Sequence, residues 1–338
     1  MTQFLATTAQ QMSVPGKGIL AADESTQTIT KRFNTINVES TEEHRRRYRE
    51  LLFTTPGINE FLHGVILYEE TLYQKTSDGT PFPEYLAQLG ILPGIKVDKG
   101  LIDLALADNE KITQGLDGLA ERLASYRDVG ARFAKWRAIY TITDSKPSKQ
   151  AIAANAEVLA RYAAICQTQD IVPIVEPEVL IDGDHTIERC YEVTQHVLKA
   201  VFEALARHRV ALEHIILKPS MVIAGNQCAT QAPAKRVAEL TYQVLKENVP
   251  AAVPAICFLS GGQSDEQATE HLQLMNDLFR DKPWELSYSY GRALQAPCLK
   301  AWLGKEENVA SAQQALHKRC LLNSRAALGE YAMAMEEA

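Results

Sequence analysis

The 338-residue chain contains no apolar run near the roughly 20 residues that a membrane-spanning helix needs. Its first 20 residues, MTQFLATTAQQMSVPGKGIL, lack the basic head and apolar core of a signal peptide. These absences lead us to expect a cytoplasmic protein without a membrane partner. No block of lysine and arginine stands out, and the formal net charge is -7. That balance argues against a nucleic-acid partner. Cysteine is sparse: six residues, at 166, 190, 228, 257, 298 and 320, with no CxxC pair. Reduced thiols are expected, not a disulfide framework. The chain also lacks a GxxxxGK[ST] phosphate loop and a GxSxG nucleophile elbow.

What is present reads as an ordinary globular protein, 46% hydrophobic and 23% charged. The length allows two average domains or one large α/β barrel. Eight candidate strands stand out, at residues 17–23, 64–70, 93–99, 131–139, 170–179, 214–220, 253–261 and 285–291. The segments between them carry helical spacing, as in Leu116, Leu119 and Leu123, or Ala268, Leu272, Met275 and Phe279. Ser264 and Gln267 form a capping box, and Gly130 stands where a helix would stop. Strict alternation implies a parallel sheet covered by helices, and eight units imply closure. A doubly wound sheet is the alternative, but the glycines of GKGILAADES precede the first strand. The expectation is α/β: a single (β/α)8 TIM barrel across residues 1–338, with helical additions at both ends. The alanine-rich stretch 301–338 is the C-terminal one.

Nearly every candidate strand ends in charged or small polar residues. The first ends at Asp23, Glu24 and Ser25, the second at Glu69 and Glu70, and the third carries Lys96, Asp98 and Lys99. Lys135 and Arg137 follow in the fourth, Glu176 and Glu178 in the fifth, and Lys218 in the sixth. The last two end in Ser260, Gly261 and Gly262, and in Gly291 and Arg292. In a parallel barrel these ends converge on one rim, where barrel enzymes keep their chemistry. Spacing i, i+2 puts Glu176 with Glu178, and Lys135 with Arg137, on the same strand face. Any single one of these charges is more often a solvated loop residue. As a set, in contexts such as IIL before Lys218 and FA before Lys135, they point to a built site.

The set holds no histidine, and its one cysteine, Cys257, lies inside a strand. DGDHTIE (182–188) reads as a helix-entry loop, since it lacks the spacing of a calcium loop. No metal and no cofactor are expected. What remains is lysine chemistry. A buried lysine beside another cation can attack a carbonyl as the neutral amine. Lys218 fits, with Lys135 on another strand, and Glu176, Glu178 and Asp23 are available for proton transfer. LSGGQS and YGRAL, after the last two strands, read as an anion cradle with Arg292 as its fork.

Long motifs carry a resemblance from about Gly18 to Glu330: GILAADES, GIKVDKG, QGLDGL, FAKWR, IVEPE, LKPSM, FLSGGQS and YGRALQ. The sequence resembles the class I, Schiff-base-forming fructose-bisphosphate aldolases. The resemblance implies that Lys218 forms the Schiff base. It implies that Glu176 is the acid/base of dehydration and cleavage, with Glu178 tuning the charge balance. Asp23 would assist carbon–carbon cleavage, and Lys135 would steer the carbinolamine. Ser260, Gly261, Gly291 and Arg292 would bind one phosphate. Lys96, Ser25 and Thr28 would lie toward the other, near Lys31 and Arg32, with Arg137 also facing substrate. Family members are usually homotetramers, so a homo-oligomer, tetramer favoured, is expected. The substrate would be a phosphorylated sugar, fructose 1,6-bisphosphate, cleaved to dihydroxyacetone phosphate and glyceraldehyde 3-phosphate. Fructose 1-phosphate or another phosphorylated ketose is the alternative, and a non-catalytic barrel is a third reading. Every matched reactive position is present, which argues against the third. Two departures stand out. The chain ends GEYAMAMEEA, so Tyr331 is too early for the terminal tyrosine of animal and plant relatives. Gln27 and Thr28 also stand where the family usually has glycine and serine.

Overall fold

The computed structural model describes residues 3–337. The chain opens with α1 (Gln3–Gln11), β1 (Gly18–Ala22), α2 (Thr26–Asn34), α3 (Glu42–Phe53), β2 (Leu62–Leu67), α4 (Glu69–Leu72) and α5 (Phe82–Gln88). Next come β3 (Leu92–Lys96), β4 (Leu101–Asp103), β5 (Lys111–Thr113), α6 (Leu119–Asp128), β6 (Phe133–Tyr140), α7 (Lys149–Thr168), β7 (Val172–Val179) and α8 (Ile187–Arg207). The last third holds β8 (Ile216–Leu217), α9 (Ala234–Asn248), β9 (Ala255–Phe258), α10 (Asp265–Leu278), β10 (Glu285–Tyr290), α11 (Arg292–Trp302) and α12 (Val309–Ala327).

The eight expected strands are present and close into a barrel in the order β1, β10, β9, β8, β7, β6, β3, β2. Each neighbouring pair is parallel. Helices cover the outside, as the (β/α)8 expectation requires. The capping box is there: Ser264 accepts from the Gln267 amide at 3.1 Å, and the Gln267 side chain accepts from the Ser264 amide at 3.2 Å. The 182–188 loop enters α8 through Thr186, which accepts from the Arg189 amide. One element was not expected: β4 and β5 form an antiparallel hairpin between β3 and β6. Its strands are three residues each, too short for periodicity to mark.

Several strands end short of the expected bounds, and two of these shifts have a clear local reason. The second strand stops at Leu67, and Glu69 and Glu70 open α4. There they pair with Lys99 and Arg45, not with the barrel rim. The sixth strand is only Ile216 and Leu217, because a 3-10 turn takes Leu212–His214 and Pro219 lacks an amide for the ladder. Lys218 still donates its own amide to the Val175 carbonyl at 2.8 Å.

The barrel interior has a small apolar cluster of its own, built from Ile19, Ala21, Ile66, Phe133, Val172, Ile174, Ile216, Ala255 and Cys257. Leu5, Ala9 and Met12, from α1 and the residue after it, join this cluster. The N-terminal helix therefore plugs one mouth. Phe133 fills the axis so closely that a Cβ on Gly94 would stand 2.1 Å from its ring. Glycine is dictated there by close approach.

Candidate active site

Alternation along the strands sets what faces the axis. In β6 the inward positions run Phe133, Lys135, Arg137; in β7 they run Val172, Ile174, Glu176, Glu178. Each inward row starts apolar and turns charged two to four residues later. Ile216 leads to Lys218, and Ile19 and Ala21 lead to Asp23. All these rows end at the carboxyl side, around a pocket of about 340 Å³. Arg32, Lys96, Lys135, Arg137, Lys218 and Arg292 line it with Asp23, Glu24, Glu176 and Glu178. Cations outnumber carboxylates, which suits an anionic ligand.

At its floor lies a chain of charges. Lys218 Nζ is 3.1 Å from Glu176 Oε1, and Lys135 Nζ is 3.3 Å from Glu176 Oε2. Lys135 Nζ also donates toward Asp23 Oδ2 at 2.7 Å. Lys135, Glu176 and Lys218 are each 4% exposed, so water cannot compensate their charges and they must compensate one another. Burial pushes the Asp23 carboxyl up, but Lys135, then Lys218, overcome it, and the group stays well below its ordinary range. Glu176 behaves the same way: burial opposes ionisation, and Lys135, Lys218 and Arg137 hold it ionised. Burial works against the Lys135 ammonium, yet Asp23 and Glu176 keep it charged well above the ordinary lysine range. Lys135 is thus fixed as a cation, bound to two carboxylates. Lys218 ion-pairs with one, Glu176.

Toward solvent the lining becomes an anion cradle. Gly261 and Gly262 have φ of 55° and 88°, turning the backbone sharply before the start of α10. A Cβ on Gly262 would lie 3.4 Å from Arg292 Nη2. Arg292 opens α11, and among the described residues it has no carboxylate within ion-pair distance. Its fork is available to an anion. Across the mouth, Ser25 caps α2, with its hydroxyl 3.1 Å from that of Thr28. Lys96 leans on Asp98 at 3.3 Å.

The structure brings together most of the residues expected from sequence: Asp23, Ser25, Thr28, Arg32, Lys96, Lys135, Arg137, Glu176, Glu178, Lys218, Ser260, Gly261, Gly291 and Arg292. Two expectations need correction. Lys31 is exposed on α2 and does not line the pocket, because the helix turns it away from its neighbour Arg32. Glu178 was expected among the groups available for proton transfer at Lys218. It instead hydrogen-bonds Arg137 of the adjacent strand, one step farther up the rim. Ser289 was missed. Its Oγ is buried in the pocket wall without a hydrogen-bond partner. The signal was available, since Ser287 and Ser289 alternate with tyrosines in SYSYG. Glu24 had been noted at the strand end but given no role. Tyr331 is buried elsewhere, against Glu336, and does not line the pocket.

A sequence model described as fructose-bisphosphate aldolase class-I matches residues 4–338. The chain belongs to the class I fructose-bisphosphate aldolases. As an aldolase it is a carbon–carbon lyase of the Schiff-base type. It is 58% identical to fructose-bisphosphate aldolase 6, cytosolic, of Arabidopsis thaliana, over 97% of this chain and 91% of that one. It is 55% identical to the probable fructose-bisphosphate aldolase class 1 of Xanthomonas campestris, over 97% and 98%. Among solved structures it superposes on Plasmodium falciparum fructose-bisphosphate aldolase, solved in complex with TRAP and a small-molecule inhibitor. The TM-score is 0.96 at 52% identity, covering 98% of this chain and 95% of that one. The relatives are named for the bisphosphate, so the fructose 1-phosphate alternative is not favoured. The plant relative's name places that protein in the cytosol, as expected for this aldolase. No helix among the described residues is long and apolar enough to cross a membrane.

Proposed function

We propose that this aldolase cleaves fructose 1,6-bisphosphate reversibly through an iminium on Lys218. The observation that carries the reading is the floor chain, in which Lys218 meets Glu176 while Lys135 is committed to Asp23 and Glu176. One lysine is held charged, and the other has an acid/base partner at 3.1 Å.

Glu176 first takes a proton from the Lys218 ammonium. The neutral amine adds to the C2 carbonyl of the open-chain sugar, and a proton passes from nitrogen to the oxygen, which becomes a carbinolamine hydroxyl. Glu176 gives a proton to that hydroxyl, and water leaves as the C=N bond forms. Lys135 stabilises negative charge next to it. Asp23, beside Lys135, takes part in removing the C4 hydroxyl proton. The C3–C4 pair then flows into the iminium, giving an enamine and free glyceraldehyde 3-phosphate. Protonation at C3 and readdition of water release dihydroxyacetone phosphate and restore the amine. Glu178 holds Arg137 on the rim and tunes the charge balance. Arg292, Ser260, Gly261 and Gly291 take one phosphate, while Lys96, Ser25 and Thr28 face the other. We read the chain as one aldolase domain, working as a homo-oligomer with a tetramer favoured. Light scattering of the purified protein tests that assembly.

The decisive test of the chemistry is borohydride reduction in the presence of dihydroxyacetone phosphate, followed by peptide mapping. The expected label sits on Lys218, with activity that survives a chelator. A label on another lysine, or none, overturns the mechanism.

A further inference from the structure

Glu24 follows Asp23 directly, yet it stands outside the floor chain. Its Oε1 accepts from Arg32 Nη1 and, at 2.8 Å, from Gln295 Nε2. Its Oε2 accepts from Arg49 Nη1, and its backbone carbonyl accepts from Arg49 Nη2 at 3.2 Å. Gln295 is fixed in turn: Nε2 reaches the Ala21 carbonyl at 2.7 Å, and Oε1 accepts from the Tyr48 hydroxyl at 3.0 Å. Tyr48, Arg49 and Gln295 are 2% exposed or less. The network therefore belongs to the rigid interior, and Arg32 is the member that emerges from it. Arg32 lines the pocket, with Nη2 3.9 Å from where a Cβ on Gly291 would stand.

We propose that Glu24 and Arg49 are positioning residues for Arg32, aiming its free edge at a substrate phosphate beside Gly291. Two physical arguments support this. An arginine ordered before the ligand arrives does not have to be ordered by it, so less binding energy is lost. In addition, Arg49 neutralises Glu24, whose bare charge would repel the phosphate that Arg32 attracts. Burial pushes the Glu24 carboxyl up, but Arg32 and then Arg49 hold it below its ordinary range, so it stays an anion with both oxygens engaged. A buried ion pair is weak evidence for a purely stabilising role, since well-packed apolar residues serve as well. A pair at the pocket wall is better explained by what it orients.

The inference rests on the aldolase reading of the pocket, and the experiment separates the two. Arg49→Met should raise the Michaelis constant for fructose 1,6-bisphosphate by about tenfold, with kcat falling by less than that factor. Arg49→Lys, which restores a cation beside Glu24, should return the constant to within about threefold of the parent. In an Arg32→Ala background, Arg49→Met should change it by less than about twofold, because the group it positions is gone. If Arg49→Met does not fold, Glu24→Gln takes its place with the same expectation. A lowered thermal midpoint with an unmoved Michaelis constant overturns the inference. So does an effect that persists undiminished in the Arg32→Ala background. Parent protein that traps dihydroxyacetone phosphate on Lys218 while these constants stay put defeats this inference alone. Failure to trap defeats the aldolase reading itself.

Discussion

The two mouths of this barrel are built from the same strands by the same alternation, yet they are chemical opposites. At the amino end, Ile19, Phe133, Val172 and Ile216 meet Leu5, Ala9 and Met12 from the N-terminal segment. At the carboxyl end, the inward positions two to four residues farther along are Asp23, Lys135, Glu176 and Lys218. Apolar side chains close the first mouth without specific partners, because burial is favourable in any orientation. Charges hold the second only because each finds an opposite charge within a few ångströms. One end is held by apolar contact and close fit, and the other by the mutual pairing of its charges.

The largest break should come at the charged end. Lys218→Met is expected to lower kcat by at least roughly a thousandfold and to abolish borohydride trapping, with the circular-dichroism spectrum unchanged. Glu176→Gln should slow turnover by about 10²–10⁴-fold, while mass spectrometry still detects some trapped substrate. The apolar end should answer with stability instead. Phe133→Ala leaves a cavity on the barrel axis and should cost about 3–5 kcal/mol by denaturant unfolding, with a far smaller change in the Michaelis constant. Arg292→Ala should weaken substrate binding by roughly 2–5 kcal/mol, read as a raised Michaelis constant; an unchanged one removes Arg292 from the phosphate site.

The finest contrast is with pH. Asp23 and Glu176 are held below their ordinary values of 3.8 and 4.5. Their contribution to stability is therefore complete above those values and is lost as the pH falls below them toward the folded-state pKa values. Lys135 is raised, so its contribution is complete below the ordinary 10.5 and fades as the pH rises beyond it. In unfolding free energies measured from pH 6 down to pH 3, Asp23→Asn should flatten the acid decline. Phe133→Ala should shift the curve without changing its slope.

Much of this was legible in one dimension. Strands such as ILAA and PIV are continuous apolar runs because both faces are covered, one by the axis and one by helices. Period two then identified which rim residues share a face. The β4–β5 hairpin was not legible, because three-residue strands leave no period to read. Glu69 and Glu70 were placed on the rim because an apolar run does not say where a helix takes over. The pairing of Glu178 with Arg137 depends on the registry of β6 against β7, where Arg137 stands opposite Glu176 and Ile139 opposite Glu178.

By itself the sequence determined the eightfold alternation and the side of the barrel that carries charge, and it singled out the lysine proposed to react. These follow from local periodicity and from the cost of leaving a charge among aliphatic neighbours. Only the tertiary structure decided which carboxylate serves which cation. Lys135 lies between Asp23 and Glu176, and Glu24 lies between Arg32 and Arg49, although these partners are 8 to 112 residues apart in the chain. Electrostatic partnership depends on distance in space and on burial, and closure of the barrel is what sets both.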